Sequence, residues 1–277
     1  MKFRLEQISF SYRPKSSPPR SVFAELDLVV EKGECVGVIG PEGSGKTTLL
    51  QLMDALLWPD QGKVLIDGID AWDRPERLHE LRRRIGFAFQ FPEQQFFCET
   101  VRDELMYASR NYRVNGGHNR GEDLLTEFGL TSPDFLDRSP FTLSIGEARR
   151  VAISSILMMR PSALLLDEPT VGLDGSGIDQ VLSSLGRLRN EGVTIVIVSH
   201  DVNALAEIVS RVIVLNDGIR EDLPARVLLS DKERLGRHGY DTPEVVCYAD
   251  ELRQQGYVVE DGIITVDALK QALRQQR

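Results

Sequence analysis

Gly40-Pro41-Glu42-Gly43-Ser44-Gly45-Lys46-Thr47 fits the spacing G-x-x-x-x-G-K-[ST]. It stands between an apolar run that reads as a strand and an apolar-periodic segment that reads as a helix. Glycines let such a loop bend tightly, so backbone N–H groups point at phosphate oxygens. The helix N-terminus adds partial positive charge. Lys46 is then placed to reach the β- and γ-phosphates of a nucleotide, and the Thr47 hydroxyl to ligate magnesium. A second set follows downstream. Ala163-Leu164-Leu165-Leu166-Asp167-Glu168 is an apolar strand ending in two carboxylates. In a parallel sheet the C-terminal end of that strand lies near the phosphate turn, where ligands collect. Asp167 would hold magnesium there, directly or through water. Glu168 would orient and deprotonate an attacking water. Between the two sets, Leu143-Ser144-Ile145-Gly146-Glu147 opens a helical run. A serine and a glycine at a helix start make another anion-binding end; alone the pentapeptide is a weak signal that an ordinary helix cap also explains, and its value lies in standing between the other two sets.

The elements that must position these residues follow from periodicity. Residues 2–12 alternate as a strand, and 15–20 form a loop. Strands are expected over 22–30 and 34–39, joined by Glu31-Lys32-Gly33, and a helix over 46–57. Pro59 to Gly62 breaks that helix, and VLIDG returns as a strand. The stretch 91–160 reads as helical (101–110, 119–129, 146–159), broken by Pro92, Gly116-Gly117 and Ser132-Pro133. It reads as a helical subdomain inserted between two sheet strands. Strand 163–167, helix 176–190, the stop at Gly192 and strand 193–198 then resume an α/β pattern. Asp201 is the expected cap of the next helix, and Asn216-Asp217-Gly218 signals a hairpin. Beyond about 224 the pattern gives two helices, 243–255 starting near Pro243 and 266–275 capped by Thr265, with a turn at Asp261-Gly262. The expected organisation is one domain over 1–223 and an appendage over 224–277 without a chemically readable motif.

Composition removes several classes of function. The 277 residues carry 33 Lys and Arg against 42 Asp and Glu, a net charge of -9. That argues against a protein that coats nucleic acid, which needs a basic stripe. No apolar run approaches the ~20 residues that span a bilayer, and the alternating N-terminus lacks the apolar core of a signal peptide. Cys35, Cys98 and Cys247 are odd in number and widely spaced. They read as reduced thiols, neither a disulfide framework nor a zinc site. Any link to a membrane is expected to run through a partner.

Taken in order, the motifs resemble those of the nucleotide-binding subunit of an ATP-binding cassette (ABC) transporter. Tyr12 sits where that family stacks an aromatic ring on adenine. Gly40 to Thr47, with Thr48 behind it, resembles its P-loop. Gln90, at the end of IGFAFQ, resembles its Q-loop glutamine. LSIGE resembles the signature LSGGQ, and LLLDEP the Walker B strand. Leu173-Asp174 resembles the D-loop, and His200 in VSHD the switch histidine. These elements span about residues 1–220. The resemblance implies a P-loop NTPase fold with a mixed sheet core, an inserted helical subdomain and a C-terminal appendage. It implies ATP and Mg2+ as ligands, with ATP held between two subunits. The P-loop residues Gly40, Pro41, Glu42, Gly43, Ser44, Gly45, Lys46, Thr47 and Thr48 would cradle the phosphates of one nucleotide. Ser144, Gly146, Glu147 and Asp174 would face the nucleotide of the partner. Glu168 would act as base, His200 would contact the γ-phosphate, and Gln90 would sense magnesium, water and the membrane partner. Two positions depart from the pattern. Ile145 replaces a glycine, and its branched side chain restricts the backbone wherever φ > 0 is needed. Glu147 replaces the common glutamine.

The stretch Phe89-Gln90-Phe91-Pro92-Glu93-Gln94-Gln95-Phe96-Phe97, followed by Thr100 to Leu105, is similar to the energy-coupling factor (ECF) ATPases. In that group the segment forms an extra short helix that receives a transmembrane T subunit, in uptake systems for vitamins, nickel or cobalt. Pro92 suits a first helical turn, Glu93 offers charge to an arginine, and Phe96 and Phe97 offer an apolar docking surface. The tail also fits, because it helps hold the two ATPases of the group together. A conventional importer fed by a soluble binding protein shares every ATP-site residue and differs in these two features. A DNA-repair cassette would need a long coiled coil between P-loop and signature, and 97 residues separate Lys46 from Ser144. A ribosomal one usually carries two cassettes. Glu168 and His200 argue against a module that binds ATP without hydrolysing it. The expected protein is therefore an ECF-type ATPase, peripheral on the cytoplasmic face of the membrane. Its partners would be a T subunit, a substrate-binding S subunit and a second ATPase, identical or sister, with no nucleic acid.

Overall fold

A computed structural model describes residues 1–15, 18–73, 75–112 and 117–274. Ser16 and Ser17 of the expected loop and Gly116 of the expected break lie outside the described residues, as do the side chains of Pro92 and Glu93. The elements run β1 (Phe3–Tyr12), β2 (Arg20–Val30), β3 (Cys35–Ile39), α1 (Lys46–Met53), β4 (Gln61–Ile66), β5 (Ile69–Asp70), α2 (Leu78–Arg82) and β6 (Ile85–Ala88). A helical stretch follows with α3 (Val101–Tyr112), α4 (Gly117–Glu127) and α5 (Ile145–Leu157). The chain then returns through β7 (Ala163–Asp167), α6 (Gly175–Asn190), β8 (Thr194–Val198), α7 (Val202–Ile208), β9 (Arg211–Leu215) and β10 (Ile219–Pro224). It ends in α8 (Ala225–Leu228), α9 (Lys232–Arg237), α10 (Glu244–Gln254) and α11 (Val266–Arg274).

Two sheets form two layers of core. The first is antiparallel, in the order β2-β1-β4-β5, and the second runs β10-β9-β3-β8-β7-β6. In the second, β9, β3, β8, β7 and β6 are parallel, and β10 returns antiparallel on the edge. Parallel strands covered on both faces read as unbroken apolar runs, and β3, β7 and β8 are buried at every residue. Their alternate side chains enter different cores. Val36, Val38, Leu165, Val196 and Val198 join α1 and the antiparallel sheet. Cys35, Ile39, Leu164, Leu166, Ile195 and Ile197 join the helical stretch, α6, α7 and the C-terminal helices. The central strands are thereby clamped from both sides, and their C-terminal ends are a rigid base for a site.

Three expectations are corrected. The helix drawn over 46–57 stops at Met53, because Ala55 adopts φ +53 and turns the chain. The N–H groups of Leu56 and Leu57 fold back onto the Gln51 carbonyl. This reversal lets β4 lie antiparallel to β1, and Leu56 and Leu57 continue the apolar period only in sequence. The strand drawn through Gln90 ends at Ala88, whose partner Leu166 is the last that β7 offers it. Gln90 therefore lies in the turn that follows. The tail holds four helices, where the sequence reading gave two. The additional ones, α8 and α9, have 4 and 6 residues, too short to display a helical period.

Candidate functional site

The loop between β3 and α1 is built by backbone shapes that require glycine. Gly40 has φ +152, and a Cβ there would stand 2.0 Å from the Leu215 carbonyl oxygen. Gly45 caps α1 at φ +99, where a Cβ would strike Val22 and Phe23. The loop cannot carry side chains at these points, where it lies against β9 and β2. Lys46 curls over it and donates to the carbonyls of Gly40 at 2.7 Å and Pro41 at 2.9 Å. Burial lowers the Lys46 pKa, opposed by the charges of Glu168, Asp167 and Glu42. These acceptors are weak compared with a phosphate, so the ammonium is held ready for a stronger anion. Beside the loop lies a hollow of 170 Å³ lined by Tyr12, Val22 and the residues around Lys46. The Tyr12 hydroxyl bonds Thr48 Oγ1 at 3.0 Å, which fixes the ring at the mouth. Arg20, which the sequence reading did not single out, donates to the Gly43 carbonyl at 3.2 Å and adds a cation to the same rim.

Lys46, Thr47, Gln90, Asp167, Glu168 and His200, with Glu42 and Gly43, line one cleft of 290 Å³. They come from positions far apart in sequence, and the parallel order of β3, β8, β7 and β6 brings them together. Thr47 Oγ1 donates to Asp167 Oδ2 at 2.6 Å. A hydroxyl and a carboxylate in contact are hard oxygen donors, the set magnesium takes alongside phosphate oxygens and water. Among the described residues no group of three or more His, Cys, Asp or Glu is placed to hold a metal ion. A cation held by this pair would complete its shell with phosphate oxygens and water. The residues fit Mg2+ on those terms.

Glu168 lies just past β7 at φ +52, a left-handed shape unusual outside glycine. Its N–H is pinned to the Val198 carbonyl at 2.8 Å. One carboxylate oxygen accepts weakly from Ser199 Oγ and the His200 N–H, each at 3.3 Å. The other is buried without a hydrogen-bond partner and lies 3.5 Å from His200 Nε2. Burial raises the Glu168 pKa, against the lowering effect of His200. A strained, half-satisfied carboxylate with raised basicity suits a general base. Burial also raises the Asp167 pKa, with the Thr47 hydrogen bond opposing it.

Ser144, Gly146, Glu147 and Asp174 do not line this cleft. Ser144 caps α5 in a reciprocal box, accepting from Glu147 N at 3.2 Å while the Glu147 carboxylate accepts from Ser144 N at 2.9 Å. Arg138 holds the same carboxylate at 3.0 Å. Asp174 caps α6 by accepting from Gly177 N at 2.7 Å. Ile145 is the first residue of α5, has no positive φ and is 65% exposed. Its replacement of glycine therefore strains no backbone.

Two residues that the sequence reading passed over hold the site together. Arg149 is 1% exposed and donates to the carbonyls of Gln90, Glu168 and Val171 at 2.6, 2.9 and 2.6 Å. It ties α5 to the Gln90 turn and to the segment after β7. An arginine on the apolar face of a helix just before a buried strand is the signal that would have found it. The other is Tyr240, between α9 and α10, whose hydroxyl reaches Gly40 and His200. Nothing in the local sequence marks it.

The family profile described as "ABC transporter" matches residues 23–171. The energy-coupling factor transporter ATP-binding protein EcfA2 of Symbiobacterium thermophilum is 38% identical over 272 residues, 97% of this chain and 94% of that protein. The protein of the same name from Clostridium perfringens is 35% identical over 277 residues, covering 99% and 97%. Among solved structures, the ATP-binding cassette MJ0796, a dimer in a post-hydrolysis state bound to ADP and Pi, aligns with a TM-score of 0.72 at 29% identity. That alignment covers 80% of this chain and 98% of that one. The cbiO1 protein of Clostridium perfringens, described as part of the ABC transporter complex cbiONQ, gives 0.72 at 26% identity, covering 90% and 98%.

Proposed function

Because this chain belongs to the ABC transporter ATPases, and among them to the energy-coupling factor group, we propose that the cleft around Lys46 and Glu168 is where it hydrolyses ATP. The chain is an ATPase that powers an ECF-type importer. The single observation behind the assignment of the site is the meeting of Lys46, Thr47, Gln90, Asp167, Glu168 and His200 in one cleft. Lys46 leaves the carbonyls of Gly40 and Pro41 for the β- and γ-phosphates. Tyr12 stacks on adenine. Thr47 and Asp167, with Gln90, hold Mg2+, which when bound neutralises charge on the phosphate oxygens. Glu168 orients and deprotonates the attacking water, and His200 donates to the γ-phosphate. Positioning and charge stabilisation carry the reaction. Ser144, Gly146, Glu147 and Asp174, outside this cleft, serve the nucleotide of a second ATPase subunit, and the helices beyond 224 help hold that pair.

The membrane partner, in this reading, is a T subunit, with an S subunit choosing the cargo, a vitamin or a transition-metal ion. No described helix is long and apolar enough to cross a membrane, so attachment to the cytoplasmic face runs through the T subunit. The apolar surface beside Gln90 supports its docking place, with Phe96 removed from the expected residues and Phe91 and Tyr107 added. Phe96 is buried in the core of the helical stretch at 9% exposure. Phe91 and Tyr107 are exposed, and Phe97, 57% exposed, packs edge-on against Tyr107 at 4.4 Å. Docking therefore falls to Phe91, Phe97 and Tyr107.

Two measurements test these assignments. Glu168→Gln should spare ATP binding and lower turnover by ~10²–10⁴-fold, and near-normal hydrolysis would end the base assignment. Phe97→Ala should reduce recovery of the membrane subunits from detergent-solubilised membranes while nucleotide binding is kept. Full recovery of the complex would return Phe97 to a packing role.

A further inference from the structure

Tyr240 belongs to the appendage, three residues before the Pro243 cap of α10. Its hydroxyl nevertheless meets two parts of the ATP site. The Gly40 N–H donates to it at 2.7 Å, and it donates to the Gly40 carbonyl at 2.8 Å. His200 Nδ1 lies 3.2 Å away, and the two rings stack at an interplanar angle of 15°. A phenol has one proton and two lone pairs. Gly40 takes the proton and one lone pair, so the remaining lone pair accepts from Nδ1–H of His200. The imidazole is thereby held at Nδ1, and Nε2 is turned toward Glu168 at 3.5 Å.

The appendage is not loosely laid over the site. Glu244 N donates to Asn203 Oδ1 at 2.8 Å, and Val266 N donates to Glu207 Oε1 at 2.9 Å. Both acceptors lie on α7, the helix that starts two residues after His200. The phenol is thus fixed relative to the segment that carries the histidine. Lys46 also donates to the Gly40 carbonyl. When Lys46 turns to a phosphate, Tyr240 still satisfies that carbonyl, so the loop keeps its shape.

We propose that Tyr240 is a positioning residue for ATP hydrolysis, fixing His200 through Nδ1 so that Nε2 addresses the γ-phosphate. The switch histidine is then oriented by the appendage, from outside the phosphate site. The proposal rests on the reading of His200 as the γ-phosphate contact. A terminal phosphate favours the imidazolium, in which both nitrogens donate. The Tyr240 oxygen is the acceptor that this form needs at Nδ1.

The test is a double-mutant cycle in the full chain assembled with its partner ATPase and membrane subunits. Tyr240→Phe keeps the stacked ring and removes the hydroxyl. It should lower kcat about tenfold with KM for ATP unchanged, the mark of an interaction made in the transition state. In a His200→Ala background, followed by single-turnover measurements, Tyr240→Phe should cost clearly less than in the parent, only what its lost bonds to Gly40 cost, because the group it orients is gone. Equal losses in both backgrounds, or a rise in KM alone, would make Tyr240 a docking residue of the appendage and overturn the proposal. Full turnover in Tyr240→Phe while His200→Ala is slow would overturn it and leave the histidine reading standing. Full turnover in His200→Ala would refute the histidine reading, and the proposal with it.

Discussion

Replacing Arg149 by methionine keeps most of the apolar stem and removes the guanidinium with its donors. Three carbonyls then lose a charged partner: Gln90, which precedes the proposed docking surface, Glu168, the proposed base, and Val171, two residues before Leu173. The guanidinium is 1% exposed, so water does not replace it without opening the packing of α5. Each buried carbonyl left unsatisfied costs about 1–3 kcal/mol. Methionine regains part of the loss, because the desolvation of the cation no longer opposes folding. A net destabilisation of about 3–5 kcal/mol follows. At ~2–4 °C per kcal/mol for a chain of this size, Tm should fall by roughly 6–20 °C. Thermal unfolding followed by circular dichroism measures it. ATP hydrolysis at a temperature where the variant is folded should also fall, because the Gln90 turn and Glu168 lose their common anchor. Arg149→Lys, with one point charge in place of a planar fork, should recover only part of both. A Tm within about 2 °C of the parent protein would refute the argument that this one side chain holds three segments in register.

Asp54, the C-cap of α1, is buried, and burial pushes its pKa up to about 7 against the charge of Arg82. The folded chain thus keeps a proton that the unfolded chain has released, so this carboxyl costs stability as pH rises from about 4 to about 7. Asp54→Asn should be more stable than the parent at pH 8.5, by at most about 4 kcal/mol, and equal to it near pH 4. Urea midpoints with the same pH dependence in both proteins would contradict the sign. Thr47→Val removes one ligand of the proposed magnesium set and should lower turnover by ~10²-fold or more. Binding of a fluorescent ATP analogue without Mg2+ should persist, and loss of that binding would show instead that the loop had collapsed. Ile145→Pro should fold normally and reduce turnover at least about tenfold, while Ile145→Ala keeps it. Unchanged hydrolysis in the proline variant would exclude the Ile145 N–H from the phosphate site.

The phosphate loop, the carboxylate strand, the caps Asp201 and Thr265 and the helix start at Ser144 were legible because each is local. The capping box at Ser144, the Asp201 bonds to Asn203 and Ala204, and the Thr265 bond to Ala268 all close within three residues. The comparisons with known proteins agree with the family and the ECF group that the motif order implied. What was not legible depends on distant contacts. Helix α1 stops short of Leu57 because β4 must pair with β1, a tertiary demand that overrides a favourable period. Phe96 and Phe97 are neighbours of one type, and only the packing of α3, α4 and α5 decides that one is core and the other surface. Arg149 and Tyr240 act on backbone atoms 19 to 200 residues away, through contacts with no sequence spacing to reveal them.

The start of α5 explains why an isoleucine is tolerated where the family pattern has glycine. Ser144 sits at φ -63 and ψ 158, extended, and its side chain and carbonyl take the N–H groups of Glu147 and Ala148. The first-turn N–H groups of Ile145 and Gly146 are left to face an anion. Neither depends on the side chain at 145, which projects into solvent. At Gly146 a Cβ would approach Leu173 no closer than 3.5 Å, so the fold of the single chain does not itself require glycine there. A proline at 145 isolates the issue. It suits the first helical position, and the residue before it already has the extended shape that proline imposes. It deletes one N–H and little else. The Lys46 cleft and the α5 start both have the form of anion-binding structure, and Ser144 and Gly146 do not line that cleft. On the proposed reading, the second half of each site is the α5 start of the partner, and turnover belongs to the pair.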